Sequence, residues 1–337
     1  MIEVTDLFHD YEGHGAFAVQ DLSFTIPDGQ IFGFLGPSGS GKSTVQNLMT
    51  KLLRIQKGDI RYEGVSIRDI RPRFFNQVGY SFELPNLYLK LTGFENLKFF
   101  AGLFEGETED PMRVLDMVGL RDAAHKRVSN YSKGMKQRLL FARSIINRPR
   151  ILFLDEPMSG LDPTTAGRIK EIIRQKTAEG VTIFLTTHNM YAADELCDEV
   201  AFLHEGEIIA KDTPRNLKLA YGEKSVKVEY RVNGEAAAGG RDAAADRDGG
   251  AASGHGAAAA GQATAFPGPA AAAAPAHAAR GDAPQAARVE ELILFPEREE
   301  DARKLHDLLV SGRTETVHSQ EATLEQIFVQ MTGRALV

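Results

Sequence analysis

The chain has 337 residues, which is long enough for two domains with a full hydrophobic core. Its 39 basic and 46 acidic residues give a net charge of −7, which argues against nucleic acid or an anionic membrane as the main partner. The single cysteine excludes an internal disulfide framework and fits a reducing compartment. The start, MIEVTDLF, lacks signal-peptide features, and no stretch reaches the roughly 18 apolar residues of a spanning helix. We therefore expect a soluble, cytoplasmic chain.

Composition divides the chain into three parts. Residues 1–220 alternate short apolar runs with helical patterns, as α/β domains do. Between about 234 and 287, Ala, Gly and Pro dominate, which predicts a disordered insertion. The insertion interrupts a small C-terminal α/β appendage, predicted over 221–337, whose ordered segments begin at SVKVEY, ARVEELILF and REEDARKLHDLLV.

A glycine-rich loop follows the first strongly apolar run. Ile31–Leu35 predicts a buried strand, and the next residues satisfy G-x-x-x-x-G-K-[ST]. In such a loop the backbone amides wrap phosphates, Lys42 reaches the β- and γ-phosphates, and Ser43 ligates Mg²⁺. The candidate ATP-binding residues are Gly36, Pro37, Ser38, Gly39, Ser40, Gly41, Lys42, Ser43 and Thr44.

Two further segments follow before the next apolar strand. The stretch 84–89, LPNLYL, is rich in apolar residues without a helical or alternating period, so core burial and an interface both explain it. In YSKGMKQR, Ser132, Gly134 and the following helix are typical of an anion-binding helix N-terminus. A chain with one complete phosphate loop thus carries a second, partial one.

The apolar run Ile151–Leu154 leads directly into Asp155 and Glu156. Such a strand belongs in a parallel sheet, where ligands bind at the carboxyl edge. There Asp155 fits a partner of Mg²⁺ and Glu156 fits a group that polarises water, although an acidic pair after a strand is often only a solvated turn. Asp162 and Pro163 then predict the start of a helix.

Another buried strand, VTIFLTT, ends at Thr187 and His188. A histidine there can contact the γ-phosphate or orient the attacking water. A packed or surface histidine is the alternative, so the case rests on position alone.

In this order, the loop 36–44, YSKGMKQR, LFLDEP, SGLD and TTH resemble the ATP-binding subunits of ABC transporters over residues 1–220. The resemblance implies an α/β P-loop NTPase core with an N-terminal antiparallel β subdomain and an inserted helical subdomain at about 84–145. With the tail HSQEATLEQIFVQMTGR, the chain is most similar to bacterial drug- and antibiotic-exporter ATPases of the daunorubicin- and fluoroquinolone-export types.

The resemblance also implies partners. Tyr11 would stack on adenine. The signature motif would close over ATP bound by a second copy, or by a homologous subunit, in a head-to-tail dimer; the residues that contact ATP in trans would be Ser132, Lys133, Gly134, Met135 and Asp162. A separate membrane permease would contact about Glu83–Leu89 and hold the chain at the cytoplasmic face of the membrane.

Two positions depart from the family pattern. The usual signature is Leu-Ser-Gly-Gly-Gln, whereas Tyr131, Lys133 and Met135 stand at its first, third and fifth positions. The Gln that normally links the metal site to the membrane partner aligns with Glu83, whose carboxylate we expect to reach Mg²⁺ directly or through a water.

The predicted function is hydrolysis of ATP, with Glu156 and His188 positioning the water, to power export of a drug- or antibiotic-like molecule through the permease. One alternative is a soluble cassette ATPase acting on nucleic acid or ribosomes. The other is an ATP-binding module without hydrolysis, which the two departures suggest.

Overall fold

The computed structural model describes residues 1–232 and 288–333. The predicted insertion at about 234–287 lies outside the described residues. The chain forms two compact units, of which one comprises residues 1–224 and 321–333 and the other comprises the described part of 225–320. Among the described residues, no helix combines the length and the apolar character needed to cross a membrane.

The strands, in chain order, are β1 (Ile2–His9), β2 (Val19–Ile26), β3 (Ile31–Leu35), β4 (Lys57–Tyr62), β5 (Val65–Ser66), β6 (Val78–Ser81), β7 (Ile151–Asp155), β8 (Thr182–Thr187), β9 (Glu199–His204), β10 (Glu207–Asp212), β11 (Ser225–Val232), β12 (Arg288–Leu294) and β13 (Thr314–Gln320). The α-helices are α1 (Lys42–Met49), α2 (Gly93–Ala101), α3 (Pro111–Met117), α4 (Lys133–Ser144), α5 (Pro163–Ala178), α6 (Met190–Leu196), α7 (Pro214–Tyr221), α8 (Glu299–Val310) and α9 (Leu324–Thr332). Short 3₁₀ helices span Pro72–Gln77, Arg121–Ala123 and Val128–Asn130.

A six-stranded sheet forms the centre of the first unit, in the order β10-β9-β3-β8-β7-β6. All its neighbours are parallel except β10, which pairs antiparallel with β9. Every residue of β3 and of β8 is buried, as expected for parallel strands covered on both faces. Because these strands run in the same direction, the ends of β3, β7 and β8 meet at one edge, and this edge carries the predicted phosphate loop, Asp155 and Thr187.

A second, antiparallel sheet in the order β2-β1-β4-β5 confirms the predicted N-terminal β subdomain. Its strand β2 alternates buried and exposed residues because one face packs on the core and the other faces solvent. Phe24 of β2 stacks on Phe32 of β3 with ring centroids 5.2 Å apart, and it also contacts Phe34 and Phe184. This aromatic cluster joins the antiparallel sheet to the parallel one.

Helices α2, α3 and α4 lie within the stretch 84–145 that the sequence assigns to a helical subdomain, whose limits stay a prediction. They pack on one another through fully buried Leu97, Val114, Leu115 and Leu139. Thr92 begins α2 with a capping box, in which its hydroxyl accepts from the Glu95 amide and the Glu95 carboxylate accepts from the Thr92 amide.

The second unit confirms the predicted small α/β appendage. Its three strands form an antiparallel sheet in the order β12-β11-β13, and α8 contacts β12. Val228 and Leu294, on neighbouring strands, are its most deeply buried apolar side chains among the described residues.

The end of the chain corrects the predicted extent of this appendage. The sequence assigns the whole of 221–337 to it, but the described residues from 321 onward belong to the first unit. Helix α9 packs there on α6 and α7, with Leu324, Ile327 and Phe328 buried in the core. The burial of these three side chains explains the difference, because a helix follows the apolar surface that covers it.

We predict that Phe328→Ala destabilises the first unit by about 3–5 kcal/mol, as truncation of a buried Phe usually does. The Phe328 ring is fully buried and contacts Phe202 edge-on, with ring centroids 5.5 Å apart. Urea denaturation would measure the change. Gln330→Ala, on the exposed side of the same helix, should shift stability by no more than about 0.5 kcal/mol. Equal effects of the two substitutions would contradict a core role for α9.

Candidate active site

The loop between β3 and α1 brings backbone very close to backbone. A Cβ atom added at Gly41 would lie 2.4 Å from the carbonyl oxygen of Ala18, and one at Gly36 would lie 2.2 Å from that of Leu203. Gly41 also has a φ of 106°, which side chains rarely tolerate. Only glycine therefore fits these two positions, and the loop arrives at α1 with its amides unobstructed by side chains.

Lys42, the first residue of α1, bends back over the loop. Its Nζ donates to the carbonyl oxygens of Gly36 and Pro37, both at 2.8 Å. Burial lowers the pKa of Lys42, and the nearby carboxylates of Glu156, Asp155 and Glu83 oppose that shift. The ammonium thus sits between the loop and the acidic strand ends, where it can bind a phosphate.

Ser43 and Asp155 form an oxygen-rich pair at the end of β7. The Ser43 hydroxyl donates to Asp155 Oδ2 at 3.3 Å, and the Thr186 hydroxyl donates to Oδ1 at 2.5 Å. Burial raises the pKa of Asp155, and the carboxylates of Glu83 and Glu156 raise it further. Crowded carboxylates next to a hydroxyl are the hard donor set that Mg²⁺ prefers, so the residues present fit this ion.

Glu156 is held in one orientation. Its Oε1 accepts from the His188 amide at 2.7 Å and lies 2.6 Å from His188 Nδ1, while Oε2 accepts from the Thr187 hydroxyl at 2.9 Å. Its backbone adopts a φ of 45°, a left-handed conformation that costs energy for a residue with a side chain. The last residue of β8, Thr187, and the residue after it, His188, thus hold both oxygens of this carboxylate.

One groove of about 450 Å³ collects most of the predicted site residues. The predicted residues that line it are Tyr11, Ser38, Gly39, Gly41, Lys42, Ser43, Thr44, Glu83, Asp155, Glu156 and His188. Three predicted loop residues, Gly36, Pro37 and Ser40, do not line the groove. The carbonyl oxygens of Gly36 and Pro37 accept hydrogen bonds from Lys42, and Ser40 is buried. Of the groove residues, the sequence analysis missed Ala18, which carries no chemical signal.

Thr186 and Thr187 were also missed as orienting residues. They hold Asp155 and Glu156 from the neighbouring strand, and their only signal in the sequence is the pair of threonines before His188.

Tyr11 stands at the mouth of the groove. Its hydroxyl lies 3.0 Å from Thr44 Oγ1, and its ring meets His9 edge-on at a centroid distance of 4.7 Å. The side chain is 60% exposed, so its ring is accessible for stacking.

The predicted trans residues do not line this groove. Ser132 is the N-cap of α4 and accepts from the Met135 amide at 3.2 Å, and Asp162 is the N-cap of α5 and accepts from the Thr165 amide at 3.0 Å. The two helix starts are neighbours, because Gly134 faces Leu161 and the Lys133 side chain lies against Gly160. The side chains of Ser132, Lys133 and Asp162 are exposed and form a surface separate from the groove.

A parallel sheet with a glycine loop after one strand and an acidic pair after another defines the chain as a P-loop nucleotide-binding protein. Residues 19–159 match the family described as ABC transporter. The chain is 43% identical to the fluoroquinolones export ATP-binding protein of Mycobacterium tuberculosis, with 100% of this chain and 94% of the relative aligned. It therefore belongs to the ATP-binding proteins of ABC transporters.

Further similar proteins are also ATP-binding proteins. The lantibiotic transport ATP-binding protein SrtF of Streptococcus pyogenes is 35% identical over 57% of this chain and 82% of its own length. A solved ATP-binding subunit of an ABC transporter superposes with a TM-score of 0.59 at 29% identity, covering 65% of this chain and 92% of that chain. A dimeric cassette in a post-hydrolysis state with ADP and phosphate shares the fold, with a TM-score of 0.58 at 24% identity over 63% of this chain and 98% of its own.

Membership of the family confirms the predicted enzyme class. The protein is an ATPase, and cassettes of this family dimerise and work with a transmembrane permease.

We predict that Asp155→Asn raises the melting temperature of the metal-free protein at neutral pH by about 2–4 °C, the shift that roughly 1 kcal/mol produces in a domain of this size. A raised folded-state pKa means that the ionised carboxylate destabilises the fold. The penalty is present above the folded pKa and is lost below the unfolded pKa of about 3.9. The gain should therefore disappear in acid when melting is followed by calorimetry.

Asp162→Asn serves as the opposite control. Hydrogen bonds from Thr165 lower the pKa of Asp162, so ionisation stabilises the fold above its unfolded pKa and this contribution is lost as the pH falls. That variant should lose stability at neutral pH. A neutral-pH loss for both variants would contradict the assigned crowding at Asp155.

Proposed function

We propose that the groove binds ATP with Mg²⁺ and hydrolyses it. The observation that carries this proposal is the meeting of Lys42, Asp155 and Glu156 in one groove, although they lie on three different elements. The loop amides and Lys42 bind the phosphates, while Ser43 and Asp155 hold the metal, with Glu83 close enough to join them. The metal supplies positive charge that offsets the charge developing on the phosphoryl oxygens.

Glu156 and His188 are the proposed catalytic residues. A water attacks the γ-phosphorus, the bond to the ADP oxygen breaks, and Glu156 accepts the proton of the water. His188 contacts Glu156 Oε1 by both its amide and its ring, so it fixes the direction from which the water approaches. His188 remains exposed on the groove side, where its ring can also contact the γ-phosphate.

Tyr11 is the proposed adenine contact. The hydrogen bond between its hydroxyl and Thr44 ties its ring to the end of the loop that would hold the phosphates. An exposed ring at that distance suits stacking on a base.

The trans surface is proposed to complete the site of a second copy. Ser132, Lys133, Gly134, Met135 and Asp162 lie at or beside two exposed helix N-termini, which favour a negatively charged group. They lie outside the groove of their own chain, so a head-to-tail dimer, of this chain with itself or with a homologous subunit, gives them a ligand. The dimeric relative makes such an assembly reasonable.

Export of a drug- or antibiotic-like molecule through a separate permease is the proposed task. It rests on the relatives, because two of them that align over 100% of this chain are export proteins. The export role of these relatives favours transport over action on nucleic acid or ribosomes. The proposed permease contact is Glu83–Leu89, where Leu84 is 77% exposed beside a groove of about 460 Å³ lined by aromatic side chains. This contact would place the protein at the cytoplasmic face of the membrane.

We predict that Glu156→Gln keeps ATP binding but lowers turnover by about 10²–10⁴-fold, the usual effect of losing a positioned base. Phosphate release measures turnover, and fluoroquinolone tolerance of cells that express the chain with its permease measures export. Both should be lost. Glu179→Gln, an exposed carboxylate at the end of α5, is the matched control and should change neither. Wild-type turnover in Glu156→Gln would leave the base unassigned, and no turnover in the wild type would favour a binding module.

We predict that Ser132→Arg abolishes ATPase activity while the isolated monomer keeps nearly normal nucleotide affinity. The reason is that the bulky cation would block ATP held by the other subunit. Mixing Ser132→Arg with Lys42→Ala subunits should restore one site that is intact on both sides, and therefore part of the turnover. Ser129→Arg, three residues earlier and also exposed, should remain active. A matching loss of affinity in the Ser132→Arg monomer would place the motif in cis and refute the dimer.

A further inference from the structure

A polar side chain on α1 is buried in the protein interior, behind the phosphate loop. Gln46 is fully buried, and its buried neighbours on the helix, Val45, Leu48 and Met49, are all apolar. Its amide oxygen lies 3.2 Å from Thr186 Oγ1 on β8, 140 positions away in the sequence. Thr186 is fully buried as well. A buried polar pair of this kind needs a reason, because apolar side chains would fill the same space without desolvating an amide.

Thr186 links this pair to the active site. Its hydroxyl has three acceptors within 3.3 Å, of which Asp155 Oδ1 is nearest at 2.5 Å. A hydroxyl carries one hydrogen, so it donates to Asp155 and can only accept from Gln46. Gln46 Nε2 has no hydrogen-bond partner among the described residues, and a half-turn of the amide about its last bond brings that nitrogen to Thr186. The chain of donation then runs from the Gln46 amide to the Thr186 hydroxyl to Asp155.

We propose that Gln46 and Thr186 are positioning residues that orient the Asp155 carboxylate for the metal. The inference rests on the proposed function, because it takes Asp155 as the metal-holding group. With Oδ1 occupied by Thr186, only Oδ2 faces Ser43 and the groove, so the carboxylate presents one oxygen in a fixed direction. Partners behind a metal ligand commonly set its orientation and its affinity.

The arrangement also connects two elements that both reach the nucleotide. Gln46 lies on α1, four residues after Lys42, whereas Thr186 lies at the end of β8, next to the Thr187 that holds Glu156. We call the hydrogen-bonded series Gln46–Thr186–Asp155 the relay. It fixes Asp155 relative to the helix that follows the phosphate loop, and not only relative to its own sheet.

The test measures metal binding apart from turnover. Mn²⁺ is titrated into full-length protein with a non-hydrolysable ATP analogue, and free Mn²⁺ is read by electron paramagnetic resonance. We expect Thr186→Val to raise the Mn²⁺ Kd by about 10–100-fold, the usual range for a lost partner of a metal ligand. Thr186→Ser, which keeps the hydroxyl, should stay near wild type. Gln46→Met, similar in shape but without donors, should raise the Kd by about three- to tenfold.

Stability separates positioning from simple packing. Gln46→Met should keep the wild-type melting temperature or exceed it, because it removes a buried amide with an unpartnered atom. Thr182→Val is the matched control: Thr182 is buried on the same strand, and its hydroxyl accepts from the Gly29 amide at the far end from Asp155. We expect a lower melting temperature for this control and an unchanged Kd.

Unchanged Mn²⁺ binding in both Thr186→Val and Gln46→Met would overturn the relay, as would a Thr182→Val effect on the Kd equal to that of Thr186→Val. Asp155→Ala distinguishes failure of the broader proposal. If that variant binds Mn²⁺ like the wild type, the metal site itself is misassigned and the relay falls with it. If Asp155→Ala loses the metal while the two relay variants do not, only the relay is wrong.

Discussion

The parallel register of three strands is the constraint on which the site depends. Strand β8 lies between β3 and β7, with Leu35 opposite Thr187 on one side and Asp155 opposite Thr186 on the other. This register brings the phosphate loop, the acidic pair and the two threonines to the same edge of the sheet. A shift of one residue would turn each of these side chains to the other face and separate Asp155 from Ser43.

The site holds charge at an energetic cost that the rest of the unit offsets. Burial raises the pKa of Asp155 and two nearby carboxylates raise it further, while Glu156 adopts a left-handed backbone conformation. The fully buried strands β3 and β8, on the same side of β7 in the sheet, provide the rigid frame that keeps these groups in place. A bound cation or the cationic Lys42 would relieve this repulsion, which supports the proposal that the groove binds phosphate together with a metal.

Two surfaces of the first unit complement that groove. The helix starts at Ser132 and Asp162 form a compact exposed surface outside it, and the segment around Leu84 exposes apolar side chains beside an aromatic groove. Because cassettes of this family dimerise and work with a permease, we propose the first surface as the contact with a second subunit and the second surface as the contact with the permease. Helix α9 packs on the same unit, where the Phe328 ring contacts Phe202 of β9.

The sequence alone determined the features whose partners lie within a few residues. The phosphate loop, the strand that ends at Asp155 and Glu156, and the helix starts at Ser132 and Asp162 all follow from local spacing and capping chemistry. Only the tertiary structure decided that Thr186 and Thr187 hold the acidic pair, that Gln46 reaches Thr186, and that α9 returns to the first unit. Their partners come from distant parts of the chain, and the packing of strands and helices, which no local pattern encodes, brings them together.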